Sequence, residues 1–145
     1  MENFKDLLDI TPKVCADKNV VRIDTTWDYN DYDLDECHKI FKADDFFKNK
    51  KLIWSLAYLS MFGEHVDKNE HINFDALYDV VGEDYELWVW GYDGEIRAHS
   101  LVDLEITYYD EDSNSFNIAF DNIHKRWENM SEEDICKEVN DALLN

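Results

Sequence analysis

A single proline, four glycines and three cysteines in 145 residues leave this chain little material for linkers, phosphate loops or disulfide frameworks. With no Pro- or Gly-rich tract, internal repeat or low-complexity segment, residues 1–145 are expected to form one domain. A phosphate loop or dinucleotide fingerprint needs clustered glycines so that backbone can approach phosphate. Gly63, Gly82, Gly91 and Gly94 make neither pattern. Cys15, Cys37 and Cys136 are far apart and odd in number, which fits reduced thiols better than disulfides or a CxxC metal knuckle. Apolar runs are short: residues 52–62 are the longest, 11 residues against the roughly 17 to 25 that cross a bilayer. The amino terminus, MENFKDLLDI, carries acids where a secretory signal carries bases, so a cytoplasmic protein is expected.

Bases are the scarcest class relative to their counterpart. Fourteen Lys and Arg face 34 Asp and Glu, a formal charge of -20, which disfavours direct contact with nucleic acid or an anionic membrane. The chain is nonetheless not a disordered acidic tail. Leu, Ile, Val and Phe supply 39 residues, above the roughly 20% below which a highly charged chain stays unfolded.

The patterning predicts an α+β fold: an antiparallel meander of three to five strands packed against a central helix and a C-terminal helix. Glu2 to Asp9 reads as a short helix stopped by Thr11-Pro12. Val21, Ile23, Thr25 and Trp27 alternate with polar residues, the period of a half-buried strand. The segment Asp28 to Glu36, DYNDYDLDE, reads as a loop running into a helix that Asp33 or Asp35 would cap. From Asp44 the spacing of Phe46, Ile53, Leu56, Ala57 and Ser60 predicts the central helix, ending near Gly63. A short helix follows, capped by Asn73 and stopped by Gly82. Strand patterning begins at Tyr85, with YELWVWG and EIRAHS joined by Asp93-Gly94 as a hairpin. Val102, Leu104, Ile106 and Tyr108 alternate with Asp103, Glu105, Thr107 and Tyr109, and Phe116, Ile118 and Phe120 form a further strand. Ser131 with Asp134 resembles a capping box ahead of the stripe Ile135, Val139, Ala142, Leu143, a C-terminal helix expected to lie on the sheet.

Catalytic signals are weak. No GxSxG elbow is present, and Cys37-His38 adjacency does not make a dyad because helical neighbours point about 100° apart. Glu64 to His71 gathers two imidazoles and three carboxylates. His65 and His71 are six apart, however, whereas zinc helices present His at i and i+4. Asp110, Asp112, Asn114 and Asp121 imitate part of a calcium loop but lack its Gly and its bidentate Glu. Paired carboxylates for glycoside hydrolysis are uninformative among 34 acids. No cofactor or metal is expected.

Charge segregation is the strongest signal. Residues 79–112 hold eleven acids and one base, Arg97; residues 24–36 hold six acids and no base; five of the 14 bases crowd between Lys39 and Lys51. A single-sign field steers association with an oppositely charged partner. Alternate strand residues lie about 6.6 to 6.8 Å apart, close to two base steps of DNA, so Asp103 and Glu105 form a short carboxylate row. Carboxylates beside aromatic anchors suit an Arg-rich surface. The expected contact residues are Glu83, Asp84, Glu86, Trp88, Trp90, Asp93, Glu95, Asp103, Glu105, Asp110, Glu111 and Asp112, with Asp28, Asp31, Asp33, Asp35 and Glu36 as a second group. Trp88 and Trp90 fit a core position equally well. The expectation is a non-enzymatic inhibitor that blocks the basic nucleic-acid-binding or nuclease site of a partner protein, in the manner of a DNA mimic such as a phage anti-CRISPR or anti-restriction protein. The alternatives are a toxin-immunity protein neutralising a cationic nuclease and, further off, a metal-dependent enzyme using His65 and His71.

Overall fold

The structure is a computed structural model that describes residues 7–12, 19–30, 33–87, 100–110 and 115–145. Five antiparallel strands form one sheet: β1 (Asp9–Pro12), β2 (Val20–Asn30), β3 (Asp33–Lys42), β4 (Ser100–Tyr109) and β5 (Ser115–Ala119), in the order β1-β5-β4-β2-β3. Two hairpins, β2–β3 and β4–β5, thus lie side by side through β2 and β4, and β1 extends the β5 edge. The α+β expectation is met, with α1 (Ala43–Lys48), α2 (Lys50–Phe62), α3 (Phe74–Tyr78), α4 (Asp121–Trp127) and α5 (Glu132–Leu144) around the sheet.

The alternation predicted for β2 holds: Val21, Ile23, Thr25 and Trp27 are buried, and Arg22, Asp24, Thr26 and Asp28 are half-buried on the opposite face. The acid-rich segment after it is not a loop leading to a helix. Asp33–Lys42 is a strand, and neither Asp33 nor Asp35 caps a helix. Pairing with β2 overrides the weak strand propensity of DLDECHKIFK, and its charged composition suits a sheet edge. Residues 2–6 of the expected amino-terminal helix lie outside the described residues, and its last residue, Asp9, belongs instead to β1. Asp9–Pro12 pairs with β5, and Pro12 is tolerated because β1 is an edge strand among the described residues.

The central helix is broken once. Asn49 (φ -88°, ψ 88°) separates α1 from α2, and its side chain accepts a hydrogen bond from Leu52 N at 3.1 Å as the N-cap of α2. Leu52 through Leu59 are all buried, so α2 is covered on every side, the pattern of a core helix. Each large apolar side chain buried this way contributes about 1.5–3 kcal/mol. α3 starts at the predicted cap, where Asn73 Oδ1 accepts from Ala76 N at 3.1 Å, but it continues through Gly82 as a π-helical turn, Asp79–Asp84. Ser131 caps α5 through Asp134 N at 3.1 Å, and the predicted stripe is buried. α5 reaches the core mainly through α2 and α3. No helix among the described residues is long and apolar enough to cross a membrane.

The strand expected from Tyr85 is absent over residues 85–87. Glu86 adopts φ 54°, and this turn sends Leu87 under the sheet. There Leu87 N donates to Val81 O at 2.7 Å, and Leu87 O accepts from Trp27 Nε1 at 2.9 Å and Thr25 Oγ1 at 3.1 Å. The rest of that hairpin, through residue 99, lies outside the described residues.

Candidate functional site

The exposed side of the sheet is built by register. Directly opposed residues share a face, so Asp24 of β2 is flanked by His38 and Glu105, Thr26 by Glu36 and Asp103, and Asp28 by Leu34 and Ser100. Asp103 and Glu105, predicted to point outward, are exposed, as is Glu36. Acids from two runs, residues 24–36 and residues 79–112, therefore meet on three adjacent strands, a relation no local pattern in the sequence contains. Strand spacing of about 4.8 Å and side-chain spacing of about 6.7 Å set a dense lattice of carboxylates.

Asp24 and Glu105 are opposed like charges, an arrangement that costs about 0.2–1 kcal/mol. Arg22, two residues along the same face, offsets part of it. Its Nε lies 3.0 Å from both Asp24 carboxylate oxygens and its Nη2 lies 3.0 Å from Oδ1. The hydrogen bond to Asp24, and then the Asp24 charge, raise the Arg22 pKa. Among the described residues the bases on this face are Arg22 and Lys42, at the end opposite Asp28 and Asp103.

One departure from the predicted strand concerns Val102. A bulge between Thr26 and Trp27 shifts the register, so Leu101 turns inward and Val102 is 55% exposed. Glu83, Asp84 and Glu86 are exposed but belong to the π-helical turn and the residues after it, a turn packed on α2 and α3, and they do not join the acidic sheet face. Asp33 and Asp35 occupy β3 register positions opposite Asn30 and Trp27. Asp110 follows the end of β4 and is half-buried. Asp31, Trp88, Trp90, Asp93, Glu95, Glu111 and Asp112 lie outside the described residues.

A cleft of about 540 Å³ opens beside the acidic rows, lined by residues 103–106 of β4, residues 117–121, Ser60 and His124. It holds a Ser–His pair: Ser60 Oγ donates to Ala57 O at 2.8 Å, and His124 Nε2 lies 2.9 Å from Ser60 Oγ and 3.1 Å from the same carbonyl.

The other sequence candidates are dispersed. His65 and His71 are both exposed, and Asn140 ties the second to α5 through its backbone, with Nδ2 donating to His71 O at 2.8 Å. Among the described residues no group of three or more His, Cys, Asp or Glu side chains is arranged to hold a metal ion. Asp121 of the calcium-like spacing begins α4. Cys37 and Cys136 are not disulfide-bonded. Cys136 is buried, and Asn69 Nδ2 donates to its Sγ at 3.3 Å. Sequence reasoning missed Ser60, Asn117 and His124 because only the packing of α4 on α2 and the pairing of β5 with β4 bring them to one cleft.

The chain matches no family model, and no curated protein or solved structure is significantly similar to it.

Proposed function

We propose that this protein is a non-enzymatic inhibitor that sets its acidic sheet face against the basic nucleic-acid-binding or nuclease site of a partner protein, as a DNA mimic. The observation that carries the reading is the convergence of Asp24, Asp28, Glu36, Asp103 and Glu105 on one face of β3, β2 and β4. An ordinary solvated face avoids opposing like charges across strands, whereas this one keeps Asp24 against Glu105. Such a field accelerates encounter with a cationic surface, and guanidinium groups pair with carboxylates in the final contact. Anti-restriction and anti-CRISPR action are roles of this kind, and a net charge of -20 accords with them.

The test is capture at low salt on immobilised wild-type protein, in parallel with the Asp103→Lys/Glu105→Lys variant, followed by competition on the purified partner. A basic nuclease or nucleoprotein retained by wild type alone, and released by duplex DNA or by its RNA, supports the proposal. Retention of nothing basic, or simultaneous binding of nucleic acid and this protein without loss of affinity, contradicts it.

A further inference from the structure

The cleft of about 540 Å³ falls within the roughly 300–1,000 Å³ of small-ligand pockets, and its lining is sorted by chemistry. Its apolar part comes from Ile118 and Phe120, both buried. Its aromatic part is a fixed stack. The Phe120 and His124 rings lie 6.3 Å apart at 43°, His124 lies 5.9 Å from Trp127, and Trp127 lies 5.6 Å from Trp54, so four rings in series back the cleft. The contacts of His124 Nε2 with Ser60 Oγ and Ala57 O hold the imidazole in that stack. Its charged part is anionic. Asp103 reaches the cleft from β4 and Asp121 from the first turn of α4, and both are exposed. Among the described residues neither carboxylate is in an ion pair, and no Lys or Arg lines the cleft.

We infer that this cleft receives one arginine side chain of the basic partner and is the anchor point of the interface. The inference rests on the acidic-face reading and deepens it, because it picks out one place where a particular side chain is read. Three features favour a guanidinium over an ammonium group. A planar cation stacks on ring faces, and the Phe120 and His124 rings supply them. Two carboxylates arriving from different elements suit a rigid fork of five donors better than a compact, strongly hydrated point charge. The Asn117 carboxamide in the same lining adds a neutral acceptor for a remaining N–H. The aliphatic stem of arginine meets Ile118 and Phe120 while its head stays with the carboxylates. Arginine seated in a pocket is a common form of binding hot spot, and the surrounding carboxylates of the sheet then act as the complementary rim.

The probe is N-acetyl-arginine methylamide, titrated into the full isotope-labelled chain and followed by NMR, beside its lysine and citrulline counterparts. Citrulline keeps the shape of arginine without its charge. The expected result is a saturable shift of the Asn117 side-chain amide and the His124 ring, with a Kd of about 1–10 mM for the arginine probe. The lysine probe should bind at least about fivefold more weakly, and the citrulline probe should not saturate. Asp121→Asn removes a cleft carboxylate that lies outside the sheet face, and it should weaken the arginine probe about fivefold or more. Equal binding of arginine and lysine, shifts confined to the sheet around Asp24 and Glu36, or an Asp121→Asn variant that binds like wild type overturns the anchor and leaves the acidic face as a diffuse charge surface. Absence of a saturable shift with every probe up to about 50 mM also overturns it. The acidic-face reading fails by a different result, the retention of nothing basic in the capture experiment, so the two failures are told apart.

Discussion

Gly63→Ala is a sharp test of how α2 and β4 are joined, because Gly63 is in ordinary right-handed backbone (φ -62°, ψ -24°) and has no conformational need to be glycine. Judged by propensity alone, the change would stabilise by about 0.5–1 kcal/mol. Its environment reverses the sign. A Cβ at this position would lie 2.7 Å from Leu101 Cβ and 2.9 Å from Leu101 Cδ2, where ordinary carbon contacts begin near 3.5 Å. The Leu101 Cβ is fixed to the β4 backbone beside the bulge, so relief requires moving α2 or the strand. Overpacking of this kind costs about 1–3 kcal/mol, and here, with a backbone-fixed Cβ in the way, the upper part of that range applies; subtracting the propensity gain leaves a net loss of about 1–2.5 kcal/mol. For a chain of this length that is a fall in Tm of about 3–6 °C. Urea and thermal unfolding of Gly63→Ala, alone and with Leu101→Ala, measure it. Leu101→Ala removes the Cδ2 overlap but keeps the 2.7 Å Cβ contact, so Gly63→Ala should retain most of its cost in that background. A neutral or stabilising Gly63→Ala would refute the packing argument, and complete rescue by Leu101→Ala would assign the clash to the wrong atom.

Asn140→Ala should destabilise by about 1–2 kcal/mol and raise exchange or proteolysis around residues 69–73, because Asn140 donates to His71 O at 2.8 Å and accepts from Asn73 N at 2.7 Å; an unchanged urea midpoint would contradict this. Burial, and then the Cys136 charge, raise the Tyr58 pKa; burial likewise raises that of the Cys136 thiol. Both groups titrate higher in the folded than in the unfolded chain, so their contribution is full below the ordinary thiol value of 9.0 and is lost as pH climbs past it and past the ordinary tyrosine value of 10.0. The urea midpoint should therefore fall between about pH 8 and about pH 10.5, with Cys136→Ala removing the earlier part; a flat profile would show that these groups are not desolvated. The association rate with a basic partner should drop steeply from low to physiological salt while dissociation changes less, and a rate indifferent to salt would remove electrostatic steering from the account.

What could be read from the sequence were the elements whose own residues settle their state. β2 alternates over its length, α5 carries both its Ser131 cap and its apolar stripe, and Asn73 marks α3. The elements that escaped are those decided by a pairing partner and not by their own composition. β3 has the composition of a loop and is a strand because β2 offers it ten positions to pair with. α4 left a signal, Ile123 and Trp127 four apart and both buried, which the preceding strand pattern obscured. The carboxylate row of Asp103 and Glu105 was legible from alternation in β4. Its meeting with Asp24, Asp28 and Glu36 was not, because sheet order places β2 next to β4 across a long stretch of chain. Nor did anything local announce the cleft, whose walls come from α2, β4, β5 and α4.

The central claim concerns position as well as charge. Asp103→Lys/Glu105→Lys reverses two exposed residues on the sheet face, and Glu132→Lys/Glu133→Lys reverses two exposed residues in the first turn of α5, changing net charge equally at a site away from the sheet. The direct measurement is the affinity of both double variants, beside wild type, for the basic partner at physiological salt, with folding checked by urea unfolding. The account predicts a loss on the order of a hundredfold for the sheet variant and less than about threefold for the helix variant. Equal losses would reduce the binding to bulk charge, and full affinity in the sheet variant would show that the partner contacts another surface.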